Sequence, residues 1–278
     1  HFLLKEIMEQ SKSLSDALRG RLRIGQGNVK LGGLEAITKK LKKIENVQIV
    51  ACGSAACAGL AGEYMLEEYA GLSTKAVAGS ELRYKKAADF TDKKTLYVFI
   101  SQSGETADTL YPLQEIKKAG GLALGIVNVA GSTIARNVDA GIYIHAGQEV
   151  AVVATKSFTG QLAALAMLTI FLGRQRNLTT AKARLMVRGL SGLPALLEKV
   201  LLQKEHIKLL AKKYQKNSGF FVIGRKYGFP VAKEGAIKLQ ETAQVHAQGL
   251  AAGELKHGPI ALIDRNFVTI AIVPSDSV

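Results

Sequence analysis

The chain has 278 residues, 47% hydrophobic and 22% charged, close to the globular average, which excludes a disordered chain, a collagen or a disulfide scaffold. At ~150 residues per domain the length allows about two domains. Thirty-seven Lys and Arg against 23 Asp and Glu leave a net charge of +14, which directs attention to an anionic ligand, nucleic acid or an anionic surface.

In chain order, Phe2 to Arg19 reads as one amphipathic helix, since Leu3, Ile7 and Leu14 share a helical stripe. Arg19 to Lys30 is rich in Gly and Arg and reads as a loop, and Leu34 to Ile44 as a second, basic helix. Val47 to Ala51 is a short apolar strand ending at Cys52-Gly53, followed by a helix from about Ala56 to Tyr69 and a weaker strand at Lys75 to Val77. The run Thr95 to Ile100 suits a strand buried on both faces. A helix from about Thr106 to Ala119, strands at Leu122 to Val127 and Gly141 to His145, and an apolar helix from Phe158 to Leu172 complete an alternating pattern. That pattern predicts an α/β fold, a parallel sheet in a three-layer αβα arrangement. The most apolar stretch, Leu162 to Leu172, is too short to cross a bilayer.

From Ala181 to Lys216 the sequence turns helical and basic, and Phe220 to Gly224 begins a new strand. From that strand onward the chain repeats its first half. Gly224 corresponds to Gly53 at an offset of 171 residues, and Glu254-Leu255 to Glu81-Leu82 at 173, with Phe267 to Val273 answering Leu96 to Ile100. The expected organisation is an N-terminal helical segment (1–46), a first α/β unit (47–175), a helical connector (176–217) and the start of a second, truncated copy (218–278). With an N-terminus at His1 and an unfinished repeat, the chain is expected to be part of a longer protein. Cys52 and Cys57 lie five residues apart, outside any CxxC or His pairing, so no metal is expected and reduced thiols in the cytoplasm are.

Four stretches carry chemistry. Ser101-Gln102-Ser103-Gly104-Glu105-Thr106 follows a buried strand and opens a helix, where free amides, hydroxyls and a glycine suit phosphate oxygens; ordinary helix capping is the competing explanation. The loop lacks GxxxxGK[ST], so no nucleoside triphosphate is implied. Cys52-Gly53-Ser54 lies at the same sheet edge, as one wall of a sugar pocket or as a plain strand-to-helix turn. Glu234, Lys238 and Glu241 fall on one helix face at i, i+4 and i+7, the pattern also of a solvated salt-bridged surface. His257, between Lys256 and Gly258-Pro259, is a loop histidine able to exchange protons near neutral pH, or a surface histidine.

Together with His1 to Ile7, Ala154 to Thr159, Glu234 to Glu241 and Gly253 to Pro259, the SQSGET loop resembles the isomerase part of the glutamine:fructose-6-phosphate amidotransferases, which is built from two sugar-isomerase (SIS) domains. The resemblance covers nearly the whole chain. It implies that Ser101, Gln102, Ser103 and Thr106 hold the sugar phosphate, with Cys52, Gly53, Ser54 and Val152 lining the pocket. It further implies that Glu241 moves a proton between C1 and C2 of the open-chain sugar, with Lys238 assisting. His257 would help open the ring, reaching into the neighbouring subunit of a homodimer, and Glu234 would organise the site. No cofactor is expected. The family's glutaminase domain would precede His1, and the tail lysine that forms a Schiff base would come after Val278, so weak binding of hexose 6-phosphates and poor turnover are expected of this chain alone.

Two departures stand out: Ala55 and Ala154 occupy places where the family usually has serine, each a lost hydroxyl worth ~1 kcal/mol of sugar binding. The alternatives are a double-SIS phosphosugar deglycase or isomerase, and a SIS sensor that binds phosphosugar without catalysis. Nucleic-acid binding, suggested by charge alone, lacks aromatic platforms and a recognisable motif, and no membrane partner is expected.

Overall fold

The N-terminal stretch forms two helices rather than one, α1 (Phe2–Met8) and α2 (Gln10–Leu18), parted at Glu9. Gln10 Nε2 donates back to the Ile7 carbonyl at 3.2 Å and Ser13 Oγ to that of Gln10 at 3.1 Å, local bonds that compete with the helical ladder. These helices belong to a computed structural model that describes residues 1–275 and divides after Leu197 into two units. The segment read as a loop holds a small antiparallel ladder, β1 (Leu22–Arg23) with β2 (Asn28–Val29). The second basic helix is mostly a 3₁₀ segment, Gly32–Ile37, followed by a single turn, α3 (Thr38–Leu41). Its apolar stripe does face the interior: Leu34, Ile37, Leu41 and Ile44 are all buried, but spacings of three and four serve a 3₁₀ turn as well as an α-helix.

The first unit is organised by a five-stranded sheet of β3 (Asn46–Ala51), β4 (Ser73–Ala78), β5 (Thr95–Ser101), β6 (Leu122–Val127) and β7 (Ala140–Tyr143), all parallel, in the order β4-β3-β5-β6-β7. Every residue of β5 and β6 is buried. Side chains alternate between faces: Leu96, Val98 and Ile100 enter one core with Ile49 and Leu124, whereas Tyr97 and Phe99 enter the other with Val50 and Val127. The first core is covered by α2, α4 (Gly53–Met65) and the apolar α8 (Lys156–Gly173), and the second by α5 (Gly79–Leu82), α6 (Ala107–Lys118) and α7 (Thr133–Asn137). Leu14, Leu18, Leu34 and Leu41 from residues 1–46 sit in the same core as the sheet.

Gly62 shows why α4 and α8 approach so closely. A Cβ at Gly62 would stand 2.8 Å from Leu165 Cδ2 and 3.2 Å from Ile49 Cδ1, below ordinary contact distance. The helix α8 has the length and hydropathy of a membrane span, yet 72% of it is buried inside the molecule, the solution a core helix takes.

The chain continues through α9 (Thr180–Leu201) and α10 (Lys204–Tyr214). The second unit contains β8 (Gly219–Gly224), α11 (Gly228–Ala243), β9 (His246–Ala251) and β10 (Phe267–Ala271). Its sheet is parallel, ordered β10-β8-β9. The strand β8 lies between β9 and β10 as β3 lies between β4 and β5, so the repeat read in the sequence is a repeat of topology. Phe220, Val222, Ala232, Ala236 and Ala247 form its core, and the Phe221 and Phe267 rings lie 4.6 Å apart.

Candidate active site

In the first unit, adjacent parallel strands β3 and β5 deliver two candidate segments to one sheet edge. Ser101 closes β5 at 1% exposure. Its Oγ accepts from the Gly104 amide at 3.0 Å and lies 2.9 Å from Thr106 Oγ1, while Ser103 Oγ accepts from the Glu105 amide at 3.1 Å. The hydroxyls therefore shape the loop itself. Thr106 precedes α6 without a side-chain cap bond, so capping of α6 by Thr106 does not account for the Ser/Thr content, and the loop leads into the N-terminus of a twelve-residue helix.

The loop is braced from outside. The Gln102 carbonyl accepts from the Asn128 amide at 3.1 Å and the Gly104 carbonyl from that of Ile134 at 2.9 Å. The Glu105 carboxylate accepts from the Thr133 amide at 2.8 Å, and that bond holds it below the usual carboxylate range. On the neighbouring strand, Cys52 precedes Gly53 and Ser54, the first residues of α4. The Thr109 hydroxyl in the first turn of α6 contacts Cys52 Sγ at 3.8 Å, so Cys52 meets the helix that the SQSGET loop opens. Ala55 is partly buried against the hydrophobic core.

Sequence reasoning missed the basic side chains nearby. A cavity of about 1040 Å³ is lined by Gln102 together with Asn128, Arg21 and His145. His145 is held below its ordinary pKa, first by burial and then by the Arg21 charge. Neither residue is near Gln102 in sequence.

In the second unit, α11 carries the acid–base candidates. Lys238 Nζ stands 3.2 Å from Glu234 Oε1 and 2.6 Å from Glu241 Oε2. Glu234 is 5% exposed, whereas Glu241 lies at the accessible end of the triad. The row is thus graded from a buried to an exposed carboxylate, unlike a uniformly solvated ion-pair face. His257 is exposed after the 3₁₀ turn Ala252–Lys256, its amide donating to the Glu254 carbonyl at 3.0 Å. Val152 is 97% exposed on the segment before α8.

A family model for the SIS domain matches residues 40–171 and 213–278. The chain belongs to the SIS-domain family. Its two SIS matches correspond to the two topological repeats. The SIS chain is 43% identical, over 277 residues and 100% of its length, to a glutamine–fructose-6-phosphate aminotransferase [isomerizing] of Chlorobaculum tepidum, of which it covers 45%. A counterpart in Thermus thermophilus is 42% identical over 98% of this chain and 44% of its own length. The chain thus spans about half the length of the curated relatives it matches. Among solved structures, the C-terminal domain of glucosamine-fructose-6-phosphate aminotransferase from Francisella tularensis superposes with a TM-score of 0.93 at 36% identity, covering 100% of this chain and 77% of that one.

Glu9, where α1 and α2 part, carries a titration tied to α8. Glu9 accepts from Lys156 Nζ at 2.8 Å, and Lys156 is 3% exposed. That hydrogen bond, before the charges of Lys156 and Lys5, holds Glu9 below the usual carboxylate range. A carboxylate lowered on folding contributes stability above its unfolded pKa and loses it as pH falls through the lower, folded value. Glu9→Gln is therefore expected to flatten the fall of melting temperature between about pH 5 and pH 3. Superimposable profiles for the two proteins would remove the pair from acid stability.

Proposed function

We propose that the chain is the isomerase part of a glutamine–fructose-6-phosphate aminotransferase, binding fructose 6-phosphate and glucosamine 6-phosphate and interconverting ketose and aldose. Ser101, Gln102, Ser103, Thr106 and the start of α6 take the phosphate, with Cys52, Gly53, Ser54 and Val152 around the sugar. Glu241 removes a proton from one of C1 and C2 and returns it to the other, through an enediol-like intermediate, and Lys238 steers that carboxylate. His257 assists ring opening, Glu234 anchors Lys238, and the working form is a cytoplasmic homodimer with a shared site, supplied by a glutaminase domain in the whole protein.

The observation that carries this reading is the hydroxyl-built, externally braced SQSGET loop at the head of α6, in a chain 43% identical to a protein of that name. In the full-length protein, fructose 6-phosphate is expected to raise the melting temperature, since a ligand at 100 times its Kd adds about 2.7 kcal/mol. Inorganic sulfate at equal concentration is the control. Stabilisation without isomerisation would favour a phosphosugar sensor; no shift at millimolar sugar phosphate would remove the site.

A further inference from the structure

The segment 146–157 carries the exposed Val152 and is fastened at three points. At its start, Asn128 Oδ1 accepts from the Ala146 amide at 2.9 Å and Asn128 Nδ2 donates to the Gly147 carbonyl at 2.7 Å. Through its own amide, Asn128 also holds the Gln102 carbonyl, so this fastening joins the segment to the proposed phosphate loop. In the middle, the carboxylate of Glu6 on α1, itself 2% exposed, accepts from the Val150 amide at 2.6 Å and the Ala151 amide at 3.3 Å. At the far end, Glu149 folds back to accept from the Thr155 amide at 3.0 Å, the Ser157 amide at 3.2 Å and Ser157 Oγ at 2.5 Å.

Between the last two fastenings only Val152 to Ala154 are left to span, and Val152 is pushed outward at 97% exposure. A buried carboxylate on two backbone amides is a strong, directional restraint, and here it comes from an element 144 residues away in sequence.

We propose that Glu6 and Glu149 are positioning residues that hold the Val150–Thr155 backbone in the form that meets the sugar, making α1 a built-in part of the substrate site. This rests on the reading of Val152 as a sugar contact. The clamp acts on binding rather than on proton transfer, so its signature is a split between KM and kcat.

In the full-length protein, Glu6→Ala is expected to raise KM for fructose 6-phosphate about tenfold at nearly unchanged kcat. Deuterium exchange of a peptide covering 148–155 should accelerate. Glu6→Gln keeps one acceptor oxygen and should bring KM most of the way back. It also carries the test should the alanine variant not fold, because a KM above that of the wild type and faster exchange are still expected of it. An unchanged KM in a folded Glu6 variant overturns the proposal, as does a loss in kcat alone. If the wild-type protein neither binds nor turns over the sugar, the functional reading fails together with the substrate role of the clamp. The exchange arm then separately reports whether Glu6 restrains the segment.

Discussion

Glu241→Gln is expected to slow hexose-phosphate isomerisation by roughly 10²–10⁴-fold, the usual worth of a placed general base, while glutamine hydrolysis by the full-length protein stays at its original rate. The substitution preserves length, shape and a hydrogen-bond acceptor for Lys238 Nζ, which stands 2.6 Å away, so the direction of the side chain is retained and only its ability to take a proton is lost. Glu234 cannot stand in for it. At 5% exposure that carboxylate is buried deeper on the same helix and tied to the same lysine. Incorporation of solvent deuterium at C1 or C2 of the sugar reads the proton transfer directly, and incorporation at the wild-type rate would take the role of base away from Glu241.

Gly104→Ala is expected to lower the melting temperature by roughly 5–10 °C and to abolish stabilisation by sugar phosphate. Gly104 has φ +69°, a left-handed conformation that costs a side-chain-bearing residue about 1–2 kcal/mol. The added Cβ would also meet Ser132, with its Cβ at 2.5 Å, and overpacking of this kind adds about 1–3 kcal/mol. Relief requires Gly104 to move. Its amide donates to Ser101 Oγ and its carbonyl accepts from Ile134, so the loop that offers the phosphate site moves with it. A melting curve and sugar response like those of the wild type would show that the loop tolerates that shift and does not need its braced form.

Much of the fold is legible because burial in a parallel sheet writes itself into short runs. The strands β3, β5, β6, β8 and β10 are each marked by a run of largely apolar residues. The elements β9 and α7 are not, since His246–Ala251 is polar and glycine-containing and Thr133–Asn137 is a single short turn. The N-terminal region misleads for a definite reason. Apolar spacings of three and four mark burial without saying whether an α-helix or a 3₁₀ turn delivers it, so the pattern from Leu34 to Ile44 suggests one helix where a 3₁₀ segment, Gly32–Ile37, and a single turn, Thr38–Leu41, occur.

By itself the sequence determined the parallel α/β fold, the duplication and the local candidates, because each depends on residues adjacent in the chain or repeated at helical spacing: the SQSGET loop and the Glu234–Lys238–Glu241 row are of this kind. It also raised the net charge of +14 as a clue to an anionic ligand, although the loop holds no Lys or Arg. Only the tertiary structure decided what stands around that loop. Arg21 and His145 line the cavity beside Gln102, and Glu6 restrains a segment 144 residues further on. Such contacts are made by polar groups brought together when the sheet and helices pack, and no periodicity or motif records them in advance.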